Sequence, residues 1–113
     1  MSHTASGNNV LQLTDASFEK EVLHSSLPVL VDFYADWCSP CRLVAPVVEE
    51  VAGKVSGQAR VGKVNVDQNP EVARQHRISA LPTVLVFRNG EEVDRLVGVQ
   101  PARRYLEALQ NGG

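Results

Sequence analysis

The sequence predicts an α/β fold built on a central five-stranded mixed β-sheet that is flanked by about four helices. Strand-like and helical segments alternate in the order β-α-β-α-β-α-β-β-α, which is typical of parallel strands joined by right-handed crossovers. The run Val29–Ala35 is almost wholly apolar, as expected of a strand covered on both faces. Asn89-Gly90, between two β-prone runs, indicates a tight turn and hence an antiparallel hairpin at one side.

The boundaries of the elements follow from apolar periodicity and from capping residues. The predicted strands cover residues 10–13, 29–35, 60–67, 80–87 and 92–97. The first helix is expected from Phe18 to near Pro28, and the second runs from the cysteines to between residues 53 and 57, with a kink at Pro46. The third begins with Asn69 as N-cap and ends near residue 76, and the last begins at residues 100–101.

Length and composition predict one globular domain. The chain has 113 residues, of which 43% are hydrophobic and 21% charged. We expect residues 1–9 to be a disordered lead, 10–110 a single domain and 111–113 a frayed end. A net charge of −2 without a basic block argues against nucleic acid as a partner. No apolar run reaches the roughly 20 residues that a membrane span needs, and no secretory signal is recognisable, so we expect a cytoplasmic protein.

The chain contains two cysteines, Cys38 and Cys41, separated by two residues. In a reducing compartment this spacing indicates redox or metal chemistry. A structural disulfide would close only a very short loop and so stabilise little. A zinc site needs about four ligands, and the three histidines are distant in sequence, so we expect no metal.

The segment Trp37-Cys-Ser-Pro-Cys41 and its surroundings resemble the thioredoxin family over about residues 10–110. Further matching elements are Val31-Asp-Phe33, Pro46, Lys63, Leu81-Pro-Thr83, Asn89-Gly90 and Gly98. The resemblance implies the thioredoxin fold, with the dithiol at the start of the second helix and a cis peptide bond before Pro82. Two positions depart from the common pattern: Ser39 stands where Gly is usual, and Tyr34 where many members have Trp.

The residues themselves suggest three catalytic roles. Cys38 precedes a helix, where unpaired amides and the helix dipole favour a thiolate, so it is the expected nucleophile. Cys41, one turn further in, is expected to be more buried and to resolve the mixed disulfide. Asp32 lies inside an apolar strand that raises its pKa by desolvation, so it can accept the proton of Cys41 directly or through a water.

Other residues are expected to tune the site or to bind substrate. The resemblance places Lys63 near Asp32 as an electrostatic modulator. Pro40 limits the backbone between the two sulfurs, and Ser39 bears on the redox potential. The resemblance also implies a shallow apolar docking surface for extended peptides, formed by Trp37, Ala80, Leu81, Pro82, Val97, Gly98 and Val99.

Together these observations predict a protein-disulfide reductase that cycles between a dithiol and a Cys38–Cys41 disulfide. The resemblance implies that it reduces disulfides in client proteins, is itself re-reduced by thioredoxin reductase, and needs no bound cofactor. We expect a monomer. Two alternatives remain open: a disulfide oxidase or isomerase of the same fold, because the residues between the cysteines set the potential, and a non-catalytic module that binds partners in a redox-gated manner.

Overall fold

The computed structural model describes residues 9–111, which form one five-stranded mixed sheet. Its strands are β1 (Val10–Leu13), β2 (Val29–Tyr34), β3 (Arg60–Asn65), β4 (Thr83–Arg88) and β5 (Glu91–Val97). Their spatial order is β1-β3-β2-β4-β5. Strands β1, β3 and β2 run parallel, β4 is antiparallel to β2, and β5 is antiparallel to β4. The predicted parallel core with an antiparallel hairpin at one side is confirmed.

Helices cover both faces of the sheet. Over the described range they are α1 (Glu19–Leu23, a π-helical turn), α2 (Ser39–Lys54), α3 (Pro70–Gln75) and α4 (Ala102–Asn111). One apolar cluster joins α2 and α4 to one face, with Tyr105 fully buried in it. A second cluster joins α1 and α3 to the other face through Phe18, Val22 and Val72. The result is the helix-sheet-helix layering that the alternation of elements predicts.

Strand β2 is central because it pairs on both edges and is buried on both faces. Leu30 packs with the side chains of α2 and α4, whereas Val31 and Phe33 pack with those of α1 and α3. Successive side chains of a strand point to opposite faces. Burial of each large apolar side chain contributes roughly 1.5–3 kcal/mol. The alternation also places Asp32, the one charged residue of the strand, on the face that α2 and α4 cover.

The first helix is shorter than predicted, since it ends at Leu23 rather than near Pro28. Local side-chain bonding stops it. The Ser25 hydroxyl donates to the Leu27 carbonyl at 2.9 Å and accepts from the Leu27 amide at 3.1 Å. A serine that satisfies nearby backbone groups in this way competes with helical hydrogen bonding.

Asn69 occupies the N-cap position of α3 as predicted, but its side chain does not cap the helix. The Asn69 side chain makes no capping bond; it accepts from the Asp15 amide at 2.9 Å and donates to the Asn65 carbonyl at 3.2 Å. Asp15, more than fifty positions earlier, supplies the cap instead, because its Oδ1 accepts from the Val72 amide at 2.8 Å. Asp15 precedes α1 in sequence, yet its side chain caps α3.

Three strands are shorter than the sequence indicated, β2 by a single residue because it ends at Tyr34. Strand β3 ends at Asn65, not residue 67, because the Asn65 Oδ1 accepts from the amides of Asp67 and Gln68 and turns the chain. Strand β4 begins at Thr83, not residue 80, after a cis bond between Leu81 and Pro82. The cis bond is the one implied by the resemblance, and proline offers no amide to a strand ladder.

The remaining boundaries agree with expectation in most respects. Asn89 and Gly90 have φ values of 55° and 82°, as a type I′ turn requires. Helix α2 continues through Pro46 to Lys54, and α4 includes Asn111, which was assigned to the frayed end. The rest of the predicted lead (1–8) and the last two positions (112–113) lie outside the described residues. In the range that the structure covers, no helix has the length and apolar character of a membrane span.

Candidate active site

The two cysteines form a disulfide at the start of α2. Cys38 is the N-cap residue, its Cα lies 5.3 Å from that of Cys41, and its sulfur accepts a hydrogen bond from the Cys41 amide at 3.3 Å. Pro40, in the first turn, has no amide of its own to satisfy there. The same amide would stabilise a thiolate on Cys38 once the disulfide is reduced, in addition to the helix dipole.

Burial does not distinguish the two cysteines in this oxidised form. Cys38 is 4% exposed and Cys41 is 3% exposed, so the expected greater burial of Cys41 is not seen. Both sulfur-bearing residues pack with Ala35, against Tyr34, Val66 and Leu81. Access to the disulfide is therefore restricted, and the difference between the two thiols lies in the hydrogen bond that Cys38 receives.

Asp32 is buried on the same side of the sheet as the dithiol. It is 3% exposed, and it lines a cavity of about 170 Å³ together with Cys41. Its Oδ1 has no hydrogen-bond partner within residues 9–111. Desolvation raises the pKa of Asp32 to about 7, against an opposing effect of the Lys63 charge. The carboxyl group can therefore gain or lose a proton near neutral pH.

Lys63 lies opposite Asp32 in the sheet. The two residues are register partners on β3 and β2, and both line the cavity. Lys63 is half-buried, and its charge lowers the pKa of Asp32 by favouring the carboxylate. The proximity that the resemblance implied is therefore present in the structure.

The residues expected to bind substrate lie on the loops next to the dithiol and at the end of β5. Leu81 packs against the cysteine cluster, and the Gly98 amide donates to the Pro82 carbonyl at 2.8 Å. Ala80 is exposed, Leu81 and Gly98 are half-buried, and Pro82 is buried. Large apolar side chains are exposed at Trp37 (69%), Val97 (51%) and Val99 (48%). Exposed apolar groups of this size are typical of an interaction surface.

Two residues of the site were missed by sequence reasoning. The Trp37 Nε1 donates to the Asp67 carboxylate at 2.8 Å, which orients the exposed indole. Arg42 donates to the Asp36 carbonyl at 2.7 Å and to the Ser39 hydroxyl at 3.1 Å. Asp67 is thirty positions from Trp37, so no local pattern links the two residues. Arg42 reads in the sequence as an ordinary charged residue on the surface of α2. Only the distinctive Ser39 could have drawn attention to Arg42, which lies one helical turn later.

A metal centre has no support in the described part of the chain. No group of three or more His, Cys, Asp and Glu side chains there could hold a metal ion. His24 and His76 follow α1 and α3 as C-cap residues. His76 packs between the rings of Phe18 and Phe87, at centroid distances of 5.2 and 5.3 Å.

A disulfide at a helix start, beside a buried carboxylic acid on a five-stranded mixed sheet, defines a thiol-disulfide oxidoreductase. Residues 9–111 match the family model described as thioredoxin, and the chain belongs to the thioredoxin family. This family membership makes the protein a protein-disulfide reductase. The matches support the predicted reduction of disulfides over the three alternatives, an oxidase, an isomerase and a binding module. In general terms, its partners are a reductase and disulfide-bearing proteins.

Curated relatives agree with this assignment over most of their length. Thioredoxin 1 of Synechococcus elongatus is 56% identical over 97 residues, which cover 86% of this chain and 91% of the relative. Thioredoxin 1 of Nostoc sp. is 50% identical over 99 residues, with 88% and 92% covered. The thioredoxin of Rickettsia bellii is 46% identical over 99 residues, with 88% and 94% covered.

The contact between Ser39 and Arg42 leads to a prediction about the redox potential. Ser39→Gly frees the guanidinium that the hydroxyl and the Asp36 carbonyl hold beside the first turn of α2. A cation held there favours the Cys38 thiolate and hence the reduced form of the protein. Because Ser39→Gly weakens this effect, we expect the redox potential of the variant to be more negative than that of the native protein by on the order of 10 mV. Equilibration with glutathione measures the redox potentials of the native protein and the variant. Ser39→Ala, which loses the hydroxyl but keeps a Cβ, is expected to match Ser39→Gly; unchanged potentials in both variants would exclude this role.

Proposed function

We propose that the protein reduces client disulfides by a two-step exchange in which Cys38 attacks, Cys41 resolves and Asp32 accepts a proton. The observation that carries this proposal is the cavity shared by Cys41 and a buried Asp32 whose pKa is about 7. A carboxyl group of ordinary pKa would be too weak a base to take a thiol proton at neutral pH. Burial of Asp32 gives it the basicity that the step needs.

The first step belongs to Cys38. Its thiolate attacks one sulfur of the client disulfide, a bond forms between the Cys38 sulfur and the client, and the second client sulfur leaves as a thiolate. The helix start favours that thiolate through its dipole and the Cys41 amide. Pro40 restricts the backbone so that the second thiol stays close enough to follow.

The second step belongs to Cys41 and Asp32. The Cys41 thiol gives its proton to the Asp32 carboxylate and attacks the Cys38 sulfur, which displaces the remaining client thiolate and forms the Cys38–Cys41 disulfide. The Asp32 Oδ1, which no other described group uses, is available for that proton. Lys63 tunes the step by lowering the pKa of Asp32.

Clients bind across the predicted docking surface. The exposed side chains of Trp37, Val97 and Val99 supply apolar contacts, while Pro82 and Gly98 form the base of the surface through their backbone bond. Strand β5 and the loop before β4 offer backbone groups to an extended peptide. Recognition of this kind depends mainly on main-chain groups, so one such protein can serve many clients.

The electron donor is proposed to be thioredoxin reductase, which converts the disulfide back to the dithiol. Such a cycle belongs in a reducing compartment, which supports a cytoplasmic location. We propose that the working unit is a monomer whose single domain spans residues 10–110. Its radius of gyration of 12.5 Å is that of one compact domain.

Serine substitutions separate the two thiol roles. Cys38→Ser removes the nucleophile, so we expect the reduction of insulin-type disulfides to fall to the uncatalysed rate. Cys41→Ser keeps the attack but cannot complete it, so a covalent complex with the client accumulates and is measured by mass spectrometry. A double variant traps nothing and serves as the control. Normal turnover by Cys38→Ser, or trapping by Cys38→Ser instead of Cys41→Ser, would contradict the assignment.

Asp32→Asn tests the proton transfer. In the native protein we expect resolution of the mixed disulfide to accelerate as the pH rises through about 7, because the carboxylate that accepts the proton forms there. The variant lacks this rise and is slower by about 10- to 100-fold near neutrality. The rates converge above pH ~9, where a thiol ionises unaided.

Release of client thiol, followed by stopped flow, measures these rates. Asp15→Asn is the matched control, since Asp15 lies at the start of α3 and lines no part of the cavity. It is expected to keep the native profile. If Asp32→Asn shows the same pH profile as the native protein, the proton role of Asp32 is excluded.

Val97→Glu tests the docking surface. A charge in place of an exposed valine loses apolar contact with a client, so we expect kcat/KM for a protein disulfide to fall about tenfold, equivalent to ~1.4 kcal/mol. Reduction of a small aromatic disulfide, which needs no docking, stays near the native rate. Gln110→Glu adds the same charge at an exposed position of α4 and should change neither rate. Equal losses for both substrates would argue against docking at Val97.

A further inference from the structure

Three polar side chains form a row across the parallel part of the sheet. Gln12 on β1 pairs in register with Lys63 on β3, and Lys63 pairs with Asp32 on β2. Tyr34 follows Asp32 by two positions, so both side chains lie on the same face of the sheet. The aromatic residue that departs from the usual thioredoxin pattern therefore lies beside this row.

The contacts show what holds the lysine. Its Nζ lies over the Tyr34 ring, 5.8 Å from the centroid, within the range of a cation–π interaction. The Tyr34 hydroxyl accepts a hydrogen bond from the Gln12 Nε2 at 3.2 Å, which steadies the ring. Within residues 9–111, Lys63 takes part in no ion pair with a carboxylate. Among the described residues, the Tyr34 ring is thus the group in direct contact with the ammonium, which also acts electrostatically on Asp32.

The same groups surround the cavity next to Cys41. Tyr34, Lys63 and Asp32 all line it, and the other charged residues that face it are Asp36 and Arg42. A neighbouring cavity of about 20 Å³ adds Glu49 beside Asp32 and Lys63. Lysine has a long, flexible stem, and a half-buried ammonium could otherwise turn toward Glu49 or solvent. Its distance from Asp32 therefore depends on a group that restrains it.

We propose that Tyr34 is a positioning residue for the disulfide exchange: its ring, held by Gln12, keeps the Lys63 ammonium beside Asp32. This inference rests on the proposed role of Asp32 as proton acceptor and adds the group that sets the field on it. The tyrosine acts through the lysine and takes no part in the bond changes at the two sulfurs. Loss of the ring lets the ammonium move away and leaves the carboxylate less stabilised.

The test is a double-mutant cycle on the pKa of Asp32, measured from the carboxyl carbon chemical shift of the oxidised protein and assigned with Asp32→Asn. Tyr34→Leu is made with Lys63 present and again with Lys63→Met. Removal of the ring also admits water, which lowers the pKa, but that effect is common to both backgrounds. We expect the change in the pKa of Asp32 caused by Tyr34→Leu to be more positive with Lys63 than with Lys63→Met, by about 0.5.

Tyr34→Phe is the matched control. It keeps the ring that faces Lys63 but loses the hydroxyl that Gln12 holds, so we expect a coupling to Lys63 between that of the native protein and that of Tyr34→Leu. If Tyr34→Leu does not fold, Tyr34→Val replaces it, because a β-branched residue suits a strand.

A Tyr34→Leu shift that is equal in the two lysine backgrounds would overturn the proposal. If Tyr34→Phe and Tyr34→Leu lose the coupling between position 34 and Lys63 equally, the aromatic ring is not what holds the ammonium group. The readout does not depend on turnover: an Asp32→Asn variant with native kinetics would defeat the proton role and leave this cycle intact.

Discussion

Burial of the Asp32 carboxyl group is the constraint on which the chemistry of the site depends. Desolvation in the central strand raises its pKa to about 7, and a more exposed position would leave it a weak base. That burial requires β2 to be paired on both edges and covered by α2 and α4. The same placement brings Lys63 opposite the carboxyl group through strand register. The sheet order is therefore an electrostatic requirement of the site as well as a packing solution.

The rest of the site lies where the elements meet. Helix α2 begins beside the end of β2, so Cys41 and Asp32 share one cavity although nine positions separate them. The hydrogen bond from the Gly98 amide to the Pro82 carbonyl joins the loop before β4 to the end of β5. Leu81 from that loop packs against the cysteines. Rigid elements thus hold the disulfide, while the exposed side chains around it remain available for contact with clients.

Most of the fold could be predicted because its signals are local. The apolar run of β2, the valine stripe of α2 and the Asn89-Gly90 turn each reflect a backbone period or a φ preference that neighbouring residues determine. The early ends of α1 and β3 come from local side-chain bonds of Ser25 and Asn65, which backbone periodicity does not show. The missing cap bond of Asn69 instead reflects competition from a distant group. Asn69 occupies the N-cap position of α3, but Asp15 supplies the capping side-chain bond because the packing of the loop after β1 brings it to α3. The sequence contains both residues but not the distance between them.

The sequence by itself determined the chemistry: two thiols at redox spacing, a helix start that favours a thiolate, and an acid within an apolar strand. Tertiary structure alone decided the partners of those groups. It placed Asp67 on the Trp37 indole and Lys63 over the Tyr34 ring. The physical reason is that propensity and thiol reactivity depend on residue type and nearby backbone, whereas pKa values and contacts depend on distances between separate elements. Those distances exist only once the sheet has assembled.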